Sequence, residues 1–314
     1  MSAKTNTIRI GSAPACFGVQ KVTPPTAWKP DPVQVLDAVA SLGYDGIALG
    51  PPGFLGQGTE LRGRLVERHL ALAEAFLPFH FAKSELFSEE RAALGPVLAL
   101  LSDASSSDVK PIVAISDGFL DPRRWPYAGR VGRYPEARLP GDLFSSFMDN
   151  MHRIAEDCLA AGFQPVLHHH AGTFVETDAE IRNVLEAMDP TVIGLCLDTG
   201  HACFGGADPV RLAKDYHHLI RHVHLKDALR SVFTHVEAEG LDFTMLQAAG
   251  AFCPLGQGDV DLANVAATLL HNNYKGWVIV EQDSIIFNES QFPQIVANQR
   301  RNKEFLKSVG LDGD

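Results

Sequence analysis

Imidazole, carboxylate and ammonium side chains are concentrated at the ends of four apolar stretches in the second half of the chain. The four segments are HHHAGT at 168–173, DTGH at 198–201, HVHLKD at 222–227 and EQD at 281–283. These are the groups that bind divalent cations and transfer protons near neutral pH. If the fold brings the four ends together, the segments predict a site of metal binding and proton transfer.

Carboxylates are the first reason to expect a metal ion. Buried carboxylates that lie close together repel each other and become protonated unless a cation holds them. Oxygen ligands from Asp198 and Glu281, with an imidazole nitrogen from His224, suit Mn²⁺, Co²⁺, Mg²⁺, Fe²⁺ or Zn²⁺, and the ligand types alone do not choose among these ions. The set contains no thiolate, which weakens the case for a structural zinc site.

The elements that must position these groups follow a regular alternation. Short apolar stretches alternate with longer ones whose apolar residues recur three and four positions apart, a pattern typical of βαβ units around a parallel sheet. The predicted strands are residues 8–14, 46–50, 76–82, 109–116, 163–169, 192–198, 220–226 and 277–282. The predicted helices include residues 32–42, 91–102, 142–161, 178–188, 209–218 and 262–274.

This alternation predicts an α/β fold, a (β/α)₈ TIM barrel, as a single domain over residues 1–314, because no linker or change of composition divides the chain. Aspartates at the starts of helical patterns are expected to cap them: Asp31, Asp142, Asp178 and Asp208. An open doubly wound sheet is the alternative, but no Gly-x-Gly-x-x-Gly follows the first strand and no phosphate loop occurs in the sequence. In a TIM barrel the active site lies at the carboxyl ends of the strands, where the four polar segments fall.

The composition limits the class of protein and its partners. The 314 residues are 46% hydrophobic, enough for one large core, and the net charge of −11 argues against nucleic acid as a partner. No stretch approaches the roughly 18 apolar residues of a membrane span, and residues 1–7 lack the features of a secretory signal. Five scattered cysteines without a Cys-x-x-Cys pair predict a reducing, cytoplasmic setting. We expect a small-molecule substrate, no membrane partner, and leave a homo-oligomer open.

Five motifs of defined order and spacing lie between about residues 163 and 283. They are LHHHAGTFVET at 167–177, GLCLDTGH at 194–201, RHVHLKD at 221–227, PLGQGDVD at 254–261 and VEQD at 280–283. Together they resemble the xylose-isomerase-like TIM barrels, and within that family the inosose dehydratases. The first half matches only loosely: CFG at 16–18 replaces a tryptophan-containing turn of the family, and residues 117–140 do not align.

The resemblance implies roles for individual residues. Asp198, His224 and Glu281 correspond to metal ligands of the family. The fourth ligand is a glutamate in many relatives, whereas His168 stands at the matching position here, and Glu176 is the other candidate. The catalytic candidates are His201, Lys226, Glu176 and His170. The cofactor expected is a divalent metal, Mn²⁺ first, with Co²⁺, Mg²⁺, Fe²⁺ and Zn²⁺ as alternatives.

The resemblance implies a metal-dependent lyase that removes water from a polyhydroxy ketone through a metal-stabilised enediolate, with a place in inositol or related carbohydrate metabolism. The alternatives are a ketose isomerase or 3-epimerase that uses the same enediolate, and a 3-keto-glycoside lyase. A phosphodiesterase needs further metal ligands and a basic surface, which the net charge of −11 argues against. A metal-stabilised sugar-binding protein without catalysis is the remaining alternative.

Other polar residues have simpler expected roles. His169 points away from its two neighbours and is expected to pack, while His217 and His218 are expected on a solvated helix face. His80 is expected in the core, with pocket lining as the alternative. The loop at 117–140 is either a lid or a subunit contact. The two aspartates of the segment 259–261 are expected to cap a helix.

Overall fold

The computed structural model describes residues 8–105, 109–239 and 243–312, and within these residues eight parallel strands close into a barrel. The barrel strands are β1 Arg9–Ser12, β2 Gly46–Ala48, β3 Ala71–Phe79, β4 Ile112–Asp117, β5 Pro165–His168, β6 Gly194–Asp198, β7 Ile220–Leu225 and β10 Trp277–Val280. A short antiparallel pair, β8 Asp227–Ala228 and β9 Phe252–Cys253, follows β7. The predicted TIM barrel is therefore confirmed.

Helices surround the barrel. They are α1 Pro32–Ser41, α2 Gly58–Glu67, α3 Ser84–Ala92, α4 Leu94–Ala104, α5 Phe144–Ala160, α6 Asp178–Ala187, α7 Thr199–Phe204, α8 Pro209–Asp215, α9 Arg230–Ala238, α10 Phe243–Ala248, α11 Leu262–His271 and α12 Phe292–Ser308. Their buried faces pack on the outer face of the strands in one continuous apolar core. Among the described residues, no helix has the length and apolar composition needed to span a membrane.

Closure of the barrel depends on the first and last strands. β1 pairs in parallel with β10, from Arg9 opposite Trp277 to Ser12 opposite Val280, and on its other side with β2. Around the ring the order is β1, β10, β7, β6, β5, β4, β3 and β2. Because all strands are parallel, their carboxyl ends, which carry the four polar segments, meet at one rim.

Some helix starts follow the capping pattern that the sequence predicts. The side chains of Asp31 and Asp208 accept hydrogen bonds from the first turns of α1 and α8, and Asp261 does the same for α11. Asp259 accepts from the backbone N–H of Arg230 at the start of α9. The predictions of an aspartate cap at 259–261 are thus confirmed.

Several boundaries differ from the prediction. The third strand starts at Ala71 rather than residue 76, because the apolar stretch before it also belongs to the sheet. The helix predicted at 91–102 corresponds to α4, which begins at Leu94, whereas residues 91 and 92 end the separate helix α3. The predicted caps at 142 and 178 are wrong: Asp142 lies in a 3₁₀ turn, and Thr177 caps α6 in a reciprocal pair with Glu180. Residues 1–7, on which the signal-peptide prediction rests, lie outside the described residues.

Small side chains fill the barrel beneath the rim. Ala114, Val166 and Cys196 form a separate cluster with Phe76 and Ile112. Val166 and Cys196 each precede a polar rim residue by two positions, so they point to the same inner face. The polar groups at the rim therefore stand on an apolar layer that excludes water from below.

The loop between β4 and α5 is ordered by a buried arginine. Arg124 is fully buried, and both of its terminal nitrogens donate to the carboxylate of Glu180, each at 2.8 Å. Its Nη2 also lies 3.6 Å from Glu176 Oε1. Because Glu180 completes the cap of α6, this bidentate pair fixes the loop to the helix that follows β5.

We expect Arg124→Met to lower the free energy of unfolding by about 3–5 kcal/mol, because it leaves two carboxylates without their cation. Arg91→Met is the matched control: Arg91 pairs with Asp157, but its side chain is 43% exposed, so its loss should cost about 1 kcal/mol or less. Chemical denaturation of both variants measures the difference. Equal, small losses would contradict the structural role of Arg124.

Candidate active site

Four potential ligand atoms converge at the rim of the barrel. His168 Nε2 lies 3.0 Å from His224 Nδ1 and 3.4 Å from Asp198 Oδ2. His224 Nδ1 lies 3.5 Å from both Asp198 Oδ2 and Glu281 Oε2. Ligands placed about 2.1 Å from one ion, in tetrahedral or octahedral geometry, lie about 3.0–3.4 Å from each other. Asp198, His224 and Glu281 offer ligand atoms within 4.8 Å of one another, and His168 adjoins the first two, so the cluster has room for one small divalent cation.

The strand register accounts for this convergence. Asp198 on β6 stands opposite His224 on β7, and His224 stands opposite Ile279 on β10, two residues before Glu281. His168 is the last residue of β5 and pairs with Cys196, two residues before Asp198. Since side chains on a strand alternate between faces, all four point to the inside of the barrel.

Asp198 shows that the cluster fits a cation. Its Oδ1 accepts a hydrogen bond from the backbone N–H of His201 and caps α7. Its Oδ2 is buried and accepts no hydrogen bond from any described residue. This buried oxygen lies 3.4 Å from both His168 Nε2 and Lys226 Nζ and 3.5 Å from His224 Nδ1, and a cation between the carboxylate and the imidazoles would satisfy it directly.

Glu74 on β3 orients the histidine ligand. One of its oxygens, Oε2, accepts from His222 Nε2 at 2.6 Å and from His224 Nε2 at 2.7 Å. With a proton on Nε2 held by Glu74, His224 can direct the lone pair of Nδ1 toward the other three ligand atoms. Glu74 was not predicted as part of the site, because the predicted strand began two residues later. A glutamate inside the apolar stretch LALAEAFLPF at 70–79 was the available signal.

The charged groups at the rim strongly shift one another's pKa values. Burial by itself would raise the pKa of Glu281, but His224 and Lys226 outweigh it and hold that pKa at about 2. Burial likewise opposes ionisation of Glu74, and the two imidazoles lower its pKa well below the usual range. Asp198, Asp283 and Glu281 raise the pKa of Lys226 against the effect of burial. The site is therefore a buried cluster of carboxylates and cations in the ionised state.

Lys226 and His201 form a second group beside the four ligand atoms. Lys226 Nζ lies 2.8 Å from Glu281, 3.1 Å from Asp283 and 3.4 Å from Asp198. It also lies 3.1 Å from His201 Nε2. An ammonium group can only donate, so Nε2 of His201 is the acceptor in this contact. As the sequence predicted, Lys226 shares the inner face of β7 with His222 and His224.

A pocket of about 200 Å³ opens above these groups. Its polar floor includes His168, His201, His224, Lys226 and Glu281. Its wall includes the aromatic rings of Phe76, Phe119 and Trp125. His170, a predicted catalytic residue, also lines the pocket, with its ring 3.7 Å from that of His201. A polar floor with an apolar, aromatic wall beside it suits a ligand that has both polar and apolar surface.

The structure separates the two candidates for the fourth ligand. Glu176 is buried beside the loop between β4 and α5, where its oxygens accept from the backbone N–H groups of Gly129 and Gly172. Burial raises its pKa to about 7. His168, in contrast, lies within 3.0 Å of His224. The geometry therefore favours His168 as the fourth ligand, and places Glu176 behind the site.

His169, His217 and His218 lie where the sequence predicted, whereas His80, expected in the core, is only partly buried. His169 points away from the pocket, and its Nε2 accepts from the backbone N–H of Asp198 at 3.2 Å. His217 and His218 are exposed. His80 contacts Glu90 and Phe119, and is not among the residues that line the pocket. His169 and His80 contact backbone groups, and His217 and His218 face solvent.

Comparison with known proteins identifies the family of the chain. A family model described as a xylose isomerase-like TIM barrel matches residues 36–308. An inosose dehydratase of Geobacillus kaustophilus is 34% identical over 285 residues, which are 90% of each chain. Among solved structures, an L-ribulose 3-epimerase superposes with a TM-score of 0.67 at 18% identity, covering 96% of this chain and 94% of the other. A probable 3-DHS dehydratase of Bacillus anthracis gives 0.63 at 15% identity, covering 93% and 97%. These two structures support the fold alone.

We expect Glu74→Gln to weaken binding of Mn²⁺ by about 10–100-fold, because the amide no longer fixes His224 with its Nδ1 lone pair toward the ion. Isothermal titration with Mn²⁺ measures the affinity, and far-UV circular dichroism checks the fold. Glu67→Gln is the control, since the Glu67 side chain is 74% exposed. Unchanged affinity in Glu74→Gln would show that Glu74 does not orient the ligand.

Proposed function

The chain belongs to the xylose isomerase-like TIM barrel family and is an enzyme of its dehydratase and epimerase kind, and on that premise we propose that it is a metal-dependent dehydratase of a polyhydroxy ketone. Inosose, the substrate in the name of its 34% identical relative, is the first compound to test. The reaction would place the enzyme in inositol or related carbohydrate metabolism.

One observation carries the proposal. His168, Asp198, His224 and Glu281 converge to within one ion's ligand spacing, and the His201–Lys226 pair stands at 3.1 Å beside them in the same pocket. A cation site next to a proton-transfer pair is what removal of a proton beside a carbonyl requires. The same arrangement would serve no purpose in a protein that only bound sugar.

The four residues would hold a divalent cation, which we propose to be Mn²⁺. Such an ion, when bound, stabilises the negative charge that develops on a carbonyl oxygen during proton removal. The ligands are two imidazoles and two carboxylates, a hard, mixed set without thiolate. The chain's own residues then have to move two protons.

His201 and Lys226 are placed to move them. Nε2 of His201 faces the pocket and accepts from Lys226. We assign this nitrogen as the base for the carbon next to the carbonyl, with its lone pair released when Lys226 donates to the departing hydroxyl instead. The electron pair of the broken C–H bond then forms a C=C bond, and the hydroxyl on the next carbon leaves as water. Lys226, an ammonium among three carboxylates, is the donor of the proton that this hydroxyl takes.

The test is an assay of the metal-loaded protein against inosose and a panel of ketoses, with and without EDTA. The proposal predicts an ultraviolet-absorbing dione from inosose and loss of the reaction in EDTA. An epimerised ketose, identified by NMR, would instead assign the enzyme to the epimerases. Absence of turnover with the whole panel would contradict the proposed reaction class.

We expect His201→Ala and Lys226→Met to retain the metal and to lower kcat by about 10²–10⁴-fold, the usual contribution of a positioned acid or base. Solvent-deuterium exchange at the carbon beside the carbonyl should slow in His201→Ala, which lacks the base, more than in Lys226→Met. His218→Ala and Lys275→Met, both at exposed positions, are the controls. Wild-type exchange in both active-site variants would show that neither residue is the base.

A further inference from the structure

His80, in the segment after β3, is held between two acceptors. Its Nδ1 lies 2.7 Å from Oε1 of Glu90, and its Nε2 lies 3.0 Å from the carbonyl oxygen of Phe119. The other oxygen of Glu90 accepts from the backbone N–H of His80 at 2.6 Å. Glu90 on α3 therefore binds both the ring and the backbone of His80.

Both ring nitrogens of His80 face oxygen atoms that can only accept. A neutral imidazole carries one N–H, so it can satisfy one of these two oxygens. Only the doubly protonated imidazolium donates to both. In agreement, the hydrogen bond that His80 donates to Glu90 raises the pKa of His80 above its usual value, although partial burial opposes the shift.

The backbone around Phe119 is built to receive this ring. A Cβ on Gly118 would stand 2.6 Å from three atoms of the His80 imidazole, so the close approach requires glycine. Leu120 has a φ of 62°, in the left-handed region that branched residues rarely adopt. Such a conformation persists only where surrounding contacts hold it, and it commonly marks a functional segment.

Phe119 forms part of the apolar wall of the pocket. Its ring lies 5.6 Å from Phe76, nearly parallel, and 4.6 Å from the ring of His170. It also touches the edge of Trp125, with ring centres 6.4 Å apart. The position of Phe119 thus sets the distance between the aromatic wall and the polar floor, which is the room left for a substrate.

We propose that His80 and Glu90 form a clamp that holds the Phe119 wall against the pocket, and that this clamp sets the affinity for substrate without taking part in the chemistry. The consequence for substrate rests on the proposed function, whereas the clamp itself does not. His80 is a positioning residue, because it reaches the substrate only through Phe119.

Several charged groups face the clamp. Glu90 and Lys83 belong to the segment at α3, Asp117 and Asp121 to the end of β4 and the loop after it, and Lys21 to the segment after β1. Glu90 favours the imidazolium and Lys83 disfavours it. Because the pKa of His80 is raised, the clamp stays closed to a higher pH than an ordinary histidine would allow, and it opens as the pH rises through that pKa.

The first test detects the protonation of His80 in the clamp without any substrate. ¹⁵N NMR of histidine-labelled protein over a range of pH should show both ring nitrogens of His80 protonated below a pKa that lies above the usual value of about 6.5. In Glu90→Gln that pKa should fall. A His80 pKa at or below the usual value in the wild type would overturn the proposal.

The second test measures the effect of the clamp on substrate binding. His80→Gln and Glu90→Gln should raise KM about tenfold while kcat changes by about twofold or less. The wild-type KM should rise as the pH rises through the pKa of His80, and the KM of His80→Gln should not follow it. His218→Gln, at an exposed histidine, is the control.

The two tests separate the inference from the proposed function. An unchanged KM in both variants, or a KM that follows pH equally in wild type and His80→Gln, would overturn the clamp's role in binding. If no ketone is turned over by the wild type, the proposed function fails, and the NMR result still decides whether the clamp exists.

Discussion

The structure depends on how negative charge is neutralised inside the mouth of the barrel. Glu74, Asp198, Glu281 and Asp283 all lie within one buried cluster. Carboxylates so placed repel one another and lose their hydration, so each needs a cation or a donor at hydrogen-bond distance. Lys226 provides one positive charge, and the imidazoles bound to Glu74 provide donors. A divalent ion between His168, Asp198, His224 and Glu281 would complete the neutralisation, and the same ion would provide the chemistry that we propose.

Each neighbouring feature follows from that constraint. The small residues beneath the rim leave the charged layer dry, which strengthens every interaction within it. Glu74 reaches the layer from the opposite side of the barrel and fixes one ligand by its far nitrogen. The aromatic wall covers the cluster from above, and its position depends on backbone groups held by His80 and Arg124 rather than on the ligands themselves. The strands thus provide the charged groups of the site, and the loop after β4 provides part of the aromatic wall that shapes the pocket.

The sequence was informative where local pattern decides structure. Alternating apolar stretches located the eight strands, and the polar residues at their ends located Asp198, His224 and Glu281. The third strand was misplaced, because residues 70–79 are apolar around a single charge and apolar runs do not mark their own boundaries. Glu74 was lost with it. The contacts of His80 with Phe119 and of Arg124 with Glu180 join residues 39 and 56 positions apart, and no local pattern encodes such pairs. The sequence also left the fourth metal ligand open between His168 and Glu176, because His168 ends β5 and Glu176 lies in the loop directly after it.

The central claim is that four side chains at the rim hold one divalent ion. Anomalous diffraction from crystals soaked in Mn²⁺ tests it most directly. The account predicts a single peak at about 2.0–2.3 Å from His168 Nε2, Asp198 Oδ2, His224 Nδ1 and Glu281 Oε2. A peak at Glu176, or no peak within reach of Asp198 and Glu281 at saturating Mn²⁺, would contradict it.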